Sequence, residues 1–318
     1  MAKYLVTGGG GFIGSHLTQT LLGDGQDVRV LDDFSTGRRE NLTDVESWAS
    51  DGGGSFELME GDIRDRDVCQ QAMQGVDYVL HQAAIPSVPR SVRDPLSSHE
   101  VNVNGTLNLL LAAREVGVKR FVAASSSSVY GANPTLPKVE TLATDPISPY
   151  ALQKLAAERY CMLFHQLYGV PTVALRYFNV FGPRQDPNSE YAAVIPKFLT
   201  CVAREQKPTI YGDGEQSRDF TYIANVVQMN LKSCHAGPEA LGKPYNVGCG
   251  DRISLNDLMR NIGKLVGREV SAEYTEARAG DVKHSLADIG QARELVGFDP
   301  QIDLLEGLDR TWQAIDRG

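Results

Sequence analysis

KYLVTGGGGFIGS, residues 3–15, joins a short β-rich run to four glycines and the start of an apolar-periodic segment. Apolar residues recur at helical spacing from Ser15 to Leu22, and Gly23 to Gly25 close that helix. VRVL at 28–31 then reads as a second buried strand ending at Asp32 and Asp33. Strand, glycine turn, helix and strand together have the length of one βαβ unit. Gly8, Gly11 and Gly14 give G-x-x-G-x-x-G at its turn. The first allows a tight turn, the second lets a pyrophosphate approach the backbone, and the third lets the helix pack close. The helix N-terminus adds N–H groups and a positive dipole end. A merely flexible turn is the bland alternative, and the strand–helix context favours a nucleotide.

Asp32 stands 18 residues beyond Gly14, where a carboxylate can accept both ribose hydroxyls and would repel a 2′-phosphate. That favours NAD, while Arg38 and Arg39 keep NADP open or are simply a solvated surface. Asp62 and Ile63 follow the third strand and either flank an adenine or form an ordinary strand-to-helix turn.

The alternation continues outward from this unit. Further strands are expected at 56–59, 78–81, 120–124 and 173–176, with helices over about 94–116 and 150–168. Strands alternating with helices argue for an α/β fold, a Rossmann-type doubly wound parallel sheet with both faces covered. After Arg176 the rhythm breaks into Pro-, Gly- and polar-rich sequence, and short strands and helices share the last 70 or so residues. The expected division is a dinucleotide-binding domain over 1–178, with a returning segment near 220–250. A smaller mixed α/β substrate-binding domain takes 179–219 and 251–318.

With 318 residues, 42% hydrophobic and 22% charged, the chain can bury a large core, which excludes disorder and a small disulfide scaffold. A net charge of −9 argues against a nucleic-acid partner. The five cysteines, Cys69, Cys161, Cys201, Cys234 and Cys249, are scattered, and with the six histidines they form no metal-ligand spacing. No metal site is expected. No run approaches 18 apolar residues, and the first five residues already lead into a strand, so a cytoplasmic protein without a membrane span or signal peptide is expected.

Tyr150 and Lys154 stand four apart on one helix face, the only Y-x-x-x-K in the chain, 24 residues beyond Ser126 on a serine-tipped strand. An ammonium near a tyrosine lowers its pKa, so that the phenolate can act as a base. A surface Tyr and Lys is the bland reading of the pair alone.

With these residues in view, the whole chain resembles the extended short-chain dehydrogenase/reductase family, in particular its nucleotide-sugar 4-epimerases. The resemblance rests on TGGGGFIGS at 7–15, HQAA at 81–84, NVNGT at 102–106, SSSSVYG at 125–131 and YALQK at 150–154. RYFNVFGPRQDP at 176–187, YGDGEQSRDF at 211–220 and RAGDVKHS at 278–285 complete it. It implies Ser126 as the catalytic hydroxyl, Tyr150 as the base, and Lys154 as the residue that tunes the base and holds the nicotinamide ribose. Around NAD it places Gly8, Gly11, Phe12, Ile13 and Gly14, then Asp32, Asp33, Ser35, Thr36 and Gly37. Asp62, Ile63, Gln82, Ala83, Ala84, Asn102, Ser125, Tyr150, Lys154 and Tyr177 complete that set.

Toward a UDP-sugar the resemblance places Ser87, Ser126 and Ser127, with Asn179 at the diphosphate, Ala193 and Val194 on the uridine side and Tyr211 at the uracil. Arg218 and Arg278 match two arginines that grip the diphosphate, which suits guanidinium forks; Asp281 and Ser285 follow. Dehydrating relatives carry Thr-Asp-Glu where this chain has Ser126, Ser127 and Ser128, and decarboxylating relatives carry a glutamate in the last position. Without that acid/base group, epimerisation is the implied outcome.

Ser285 stands where glucose-restricted relatives have a tyrosine, and Pro86 where several have a lysine. SVPRSV at 87–92 resembles N-acetylhexosamine epimerases, so UDP-N-acetylglucosamine/UDP-N-acetylgalactosamine interconversion is the expected activity, with UDP-glucose also accepted. Four readings stay open: a strict UDP-glucose epimerase, a hexuronate epimerase in which Lys283 or Arg90 meets a carboxylate, a non-catalytic NAD-binding regulator, and a net oxidoreductase that releases its keto product. A homodimer through the helices near 95–116 and 150–168 is implied by the family.

Overall fold

A strand buried on both faces favours apolar residues along its middle, and the first strands carry them at Tyr4–Val6 and at Val28, Val30 and Leu31. The computed structural model describes residues 1–187, 193–277 and 282–316. Six strands, β1 (Lys3–Thr7), β2 (Asp27–Asp32), β3 (Phe56–Glu60), β4 (Tyr78–His81), β5 (Arg120–Ser126) and β6 (Thr172–Tyr177), join a last strand, Lys243–Val247. All run parallel, in the order Lys243–Val247, β6, β5, β4, β1, β2, β3.

Successive side chains enter opposite faces. Leu5, Leu31, Val79 and Phe121 pack with Cys69, Leu109 and Leu110 on one side. Tyr4, Val6, Val28, Val30 and Val122 pack with Leu17, Leu21 and Val226 on the other. This second core continues into the C-terminal lobe through Ile195, Phe198, Leu258 and Ile262. The lobe carries the helix Val194–Ala203 and three two-stranded pairings: Val180–Phe181 with Thr221–Tyr222, Thr209–Tyr211 with Glu273–Thr275, and Ser217–Arg218 with Ile253–Ser254.

The expected strands are present; β1 and β4 have the expected bounds, and the others are a residue or two longer. The segment expected as one helix over 94–116 is instead a helix Pro95–His99, a wide π-helical stretch Glu100–Gly105 and a helix Thr106–Val116. At that stretch Asn102 turns its amide to Ile85 and Gln153, and its carbonyl also accepts the Thr106 hydroxyl at 2.7 Å. Two short helices, Val45–Gly52 and Arg66–Met73, were not expected. No helix among the described residues is long and apolar enough to cross a membrane, and no cluster of three metal-ligating side chains occurs there.

Sheet order reverses between β1 and β4, and a crevice opens at the carboxyl ends of the strands on either side of such a switch point.

Candidate functional site

Gly8 follows β1 with φ +70°, and a Cβ there would lie 2.7 Å from the Ala83 nitrogen beyond β4. A Cβ on Gly14 would lie 2.1 Å from the Gly8 oxygen, so glycine alone lets the helix Phe12–Gly23 seat on the turn. That helix starts at Gly11 with no side-chain cap and no acidic residue in its first turn. Its free N–H groups and dipole therefore face the crevice ready for an anion.

At the end of β2, Asp32 accepts the N–H of Gly10 and of Phe34, each at 2.8 Å. Burial raises its pKa against these two bonds, and each oxygen keeps a lone pair for a ribose hydroxyl. Arg39 lies over the Phe34 ring and pairs with Glu60, and Arg38 pairs with Asp186 at 2.6 Å. Both guanidiniums thus have protein partners. Asp62 is held by Arg64 at 2.5 Å; burial raises its pKa, but the Arg64 bonds outweigh that and lower it overall.

One cavity of about 740 Å³ runs from this end to the tips of β4, β5 and β6. Gly8, Gly11, Phe12, Ile13, Gly14, Asp32, Asp33, Ser35, Thr36, Gly37, Asp62, Ile63, Gln82, Ala83 and Ala84 line it. Ser87, Ser125, Ser126, Tyr150, Lys154, Tyr177, Asn179 and Ala193 line it further on. The glycine turn, the uncapped helix and the β2 carboxylate fit a dinucleotide.

Ser126 ends β5, and Tyr150 and Lys154 ride on the helix Pro149–Tyr168, which Ser148 caps. Ser126 Oγ accepts the N–H of Ser128 at 3.1 Å and its hydroxyl at 2.9 Å. With both lone pairs taken, its own proton is left to donate to the Tyr150 oxygen, to which it is hydrogen-bonded. Burial pushes Tyr150 up to about 12, against that bond from Ser126. Burial also lowers Lys154 to about 8, and its ammonium donates to the Ala124 carbonyl at 3.0 Å. The expected depression of the tyrosine by its lysine is not seen here: burial outweighs the bond from Ser126, and Lys154 does not enter that balance.

Three expected cofactor contacts have other partners. Asn102 is buried away from the cavity lining; its oxygen accepts from Ile85 N at 2.8 Å and its NH₂ donates to Gln153 at 2.9 Å. It holds the wall beyond β4 rather than facing the crevice. Ser125 reaches the cavity, but its hydroxyl donates to Glu158 at 2.7 Å. Tyr177 donates to Gln82 at 3.1 Å and accepts from Asn230 at 2.9 Å, bracing the loop after β4.

In the lobe, Asn179 donates to the Asp219 carbonyl at 3.0 Å. Arg218 donates to the carbonyls of Ser217 and Lys283, and Ser285 N donates to Ser217 O, so Arg218 and Ser285 sit on adjoining segments. Ser127, Val194, Tyr211, Arg218 and Ser285 are not among the residues lining the cavity. Arg278 and Asp281 lie outside the described residues.

Residues 4–248 match the NAD dependent epimerase/dehydratase family. The chain belongs to that family, on its UDP-sugar 4-epimerase branch. A UDP-glucose 4-epimerase of Mycolicibacterium smegmatis is 40% identical over 311 residues, 97% of each chain. A UDP-N-acetylglucosamine 4-epimerase of Methanobrevibacter ruminantium, solved with UDP-N-acetylmuramic acid, superposes with a TM-score of 0.92 at 39% identity, over 99% of this chain and 98% of that one. A UDP-glucuronic acid 4-epimerase of Bacillus cereus, solved with UDP-glucuronic acid and NAD, gives 0.89 at 32%, over 99% of each. The family resemblance read from the motifs is thereby met, and with it the isomerase class and NAD as cofactor.

In this epimerase the cavity also takes in Arg90, Arg93 and Arg184, of which only Arg90 had been considered. Also unanticipated is a buried Glu158–Arg176 pair behind Ser125. Glu158 continues the four-residue ridge of Tyr150 and Lys154, but that spacing alone does not mark it as buried.

Proposed function

We propose that this epimerase interconverts UDP-N-acetylglucosamine and UDP-N-acetylgalactosamine, with Ser126, Tyr150 and Lys154 as its catalytic residues. The observation that carries the chemistry is the relay at the end of β5. Ser128 donates to Ser126, and Ser126 donates to Tyr150. A hydroxyl donating to the phenol oxygen stabilises the phenolate more than the phenol, which is the direction a base needs. Tyr150 then takes the proton of the sugar 4-hydroxyl and returns one after the sugar has turned. Lys154, one helical turn away, supplies the positive charge that favours the Tyr150 phenolate. NAD, when bound, supplies a reversible hydride acceptor at C4. Gly8, Gly11, Gly14 and Asp32 hold and orient that cofactor, and Asn179, Arg218 and Arg278 hold the diphosphate while the sugar turns.

Residues 125–128 are all serine, so that stretch itself carries no carboxylate to drive elimination or decarboxylation. The acetamido preference rests on the short side chains Ala84, Pro86 and Ser87 along the cavity wall, and on Ser285 in the lobe. The proposed division of labour follows the lobes, with NAD on 1–178 and the return near 220–250, and the UDP-sugar on 179–219 and 251–318.

A second copy of the chain is the proposed partner. Leu152, Leu163 and Leu167 are exposed on one face of Pro149–Tyr168, and Val92 and Leu96 are exposed on the helices packed against it. Exposed apolar side chains on packed helices suit a homodimer.

The test is a product assay with UDP-N-acetylglucosamine, UDP-glucose and UDP-glucuronate, each read by separation of the 4-epimers. Conversion mainly of the acetamido sugar without net NADH is expected. Conversion of UDP-glucose alone, or of the acid alone, overturns the sugar assignment and leaves the relay. Ser285→Tyr should suppress acetamido turnover and spare UDP-glucose; equal losses on both would remove Ser285 as the gate.

A further inference from the structure

The helix that carries Tyr150 and Lys154 also carries Glu158, and Glu158 faces none of the proposed substrate. Its side chain is fully buried against an equally buried Arg176, with Glu158 Oε1 2.7 Å from Nη2 and Oε2 2.9 Å from Nε. The same Oε2 accepts the Ser125 hydroxyl at 2.7 Å. Ser125 precedes Ser126, and Arg176 lies opposite Ser125 in the β5–β6 register. A forked pair of this kind fixes both partners in angle as well as distance.

Arg176 is also fixed from its far side. Its Nη1 donates to Tyr130 Oη at 2.8 Å, Tyr130 donates to Asn246 at 2.7 Å, and Asn246 donates to the carbonyls of Lys138 and Asp288 at 2.8 and 3.1 Å. One buried chain of hydrogen bonds therefore links the catalytic helix, β5, β6 and the Lys243–Val247 strand to the lobe segment that begins at Ser285. A buried ion pair is a poor source of stability, because apolar residues of similar size often serve as well or better. What it supplies and apolar packing does not is a single register between the elements it joins.

We propose that the Glu158–Arg176 pair is a positioning device for the epimerisation reaction, holding the Ser126 hydroxyl and the Tyr150 phenol at their working separation. The proposal rests on the catalytic reading of Ser126 and Tyr150. Glu158 stands two helical turns beyond Tyr150, so a slide or rotation of Pro149–Tyr168 against β5 displaces the phenol from Ser126. A misplacement near 1 Å costs on the order of 100-fold in rate while leaving remote binding contacts in place.

Two variants test this, each purified with its NAD and assayed well below its melting temperature. The double variant Glu158→Leu/Arg176→Met removes both charges together and leaves no buried ion alone. Ser125→Ala removes only the hydroxyl between β5 and Glu158. The expected result is a kcat lower by roughly 30-fold or more in the double variant and about fivefold in Ser125→Ala, with KM for the UDP-sugar within about threefold of native. A purely structural role would lower the melting temperature and leave kcat where it was. Native kcat in the double variant overturns the proposal, as does a rise in KM with kcat unchanged. If the double variant does not fold, native kcat in Ser125→Ala overturns it alone. Tyr150→Phe, run in parallel, separates the two levels: native turnover there removes the catalytic reading itself. Loss there together with native turnover in the double variant removes only the positioning role.

Discussion

Gly14 and Gly23 lie on the same helix, and the same substitution should have opposite consequences at the two. A Cβ at Gly14 would lie 2.1 Å from the Gly8 oxygen and 2.8 Å from both Gly8 C and Gly9 Cα. Ordinary contact begins near 3.4 Å, so the helix must retreat from the turn by about 1.3 Å. The obstacle is backbone, which no rotamer change relieves. Alanine recovers about 1 kcal/mol of helix propensity, but overpacking of this kind costs about 1–3 kcal/mol, leaving Gly14→Ala destabilised by about 1 kcal/mol and its Tm a few degrees lower.

The larger effect is on the cofactor. The retreat carries the uncapped N–H groups away from the pyrophosphate they are placed to meet. A hydrogen bond to a charged group is worth about 1.5–3 kcal/mol, so the loss of one weakens NAD binding by roughly 10- to 150-fold. Gly23 has nothing within 4 Å of the same added carbon and closes the helix in solvent. Gly23→Ala should keep native NAD affinity and gain up to about 1 kcal/mol. Calorimetric titration of cofactor-freed protein with NAD, beside thermal unfolding, measures both. Gly14→Ala binding NAD within threefold of native would refute the steric argument. Equal damage from Gly23→Ala would show that the helix merely dislikes substitution.

Burial lowers His81 to about 3, with the charge of Lys154 adding to it, and the ring sits between the hydroxyls of Thr7 and Thr106 at 2.7 and 2.9 Å. A histidine depressed below its unfolded value of 6.5 stabilises the fold fully above that pH and loses the contribution as pH falls toward 3, about 5 kcal/mol in all. Urea midpoints should therefore fall with acidity over that window and fall less steeply in His81→Gln; parallel slopes would contradict it. His16, lowered to about 4 by burial and by Arg184, should leave a residual slope. Tyr150→Phe should keep NAD and lower kcat by about 10²- to 10⁴-fold in the 4-epimer assay. Leu163→Glu/Leu167→Glu should yield a folded monomer by light scattering, and a native dimer would move the interface elsewhere.

Where backbone geometry leaves one residue type, the chain could be read directly. Gly8, Gly14 and Asp32 were found in order because a positive φ, a helix pressed on a turn and a strand-end carboxylate are local demands. The β-strands were found for a similar reason, since burial on both faces admits little but apolar residues. The helix Arg66–Met73 escaped because its buried face, Cys69, Ala72 and Met73, is short and weakly marked.

Side-chain direction is a different kind of quantity. Asn102 and Ser125 stand in family motifs, yet whether an amide or hydroxyl faces the crevice depends on partners far along the chain. Gln153 meets Asn102 across 51 residues, and Glu158 meets Ser125 across 33. Glu158 itself lies in YALQKLAAERY, where a glutamate four after a lysine normally marks a solvated helix face. Its burial becomes visible only once Arg176 is seen opposite Ser125, because an interior carboxylate is tolerable only with a cation beside it. Most of the residues that line the cavity were thus readable from motifs. The residues packed behind them were not, because such packing is a property of the assembled elements and of no single stretch of sequence.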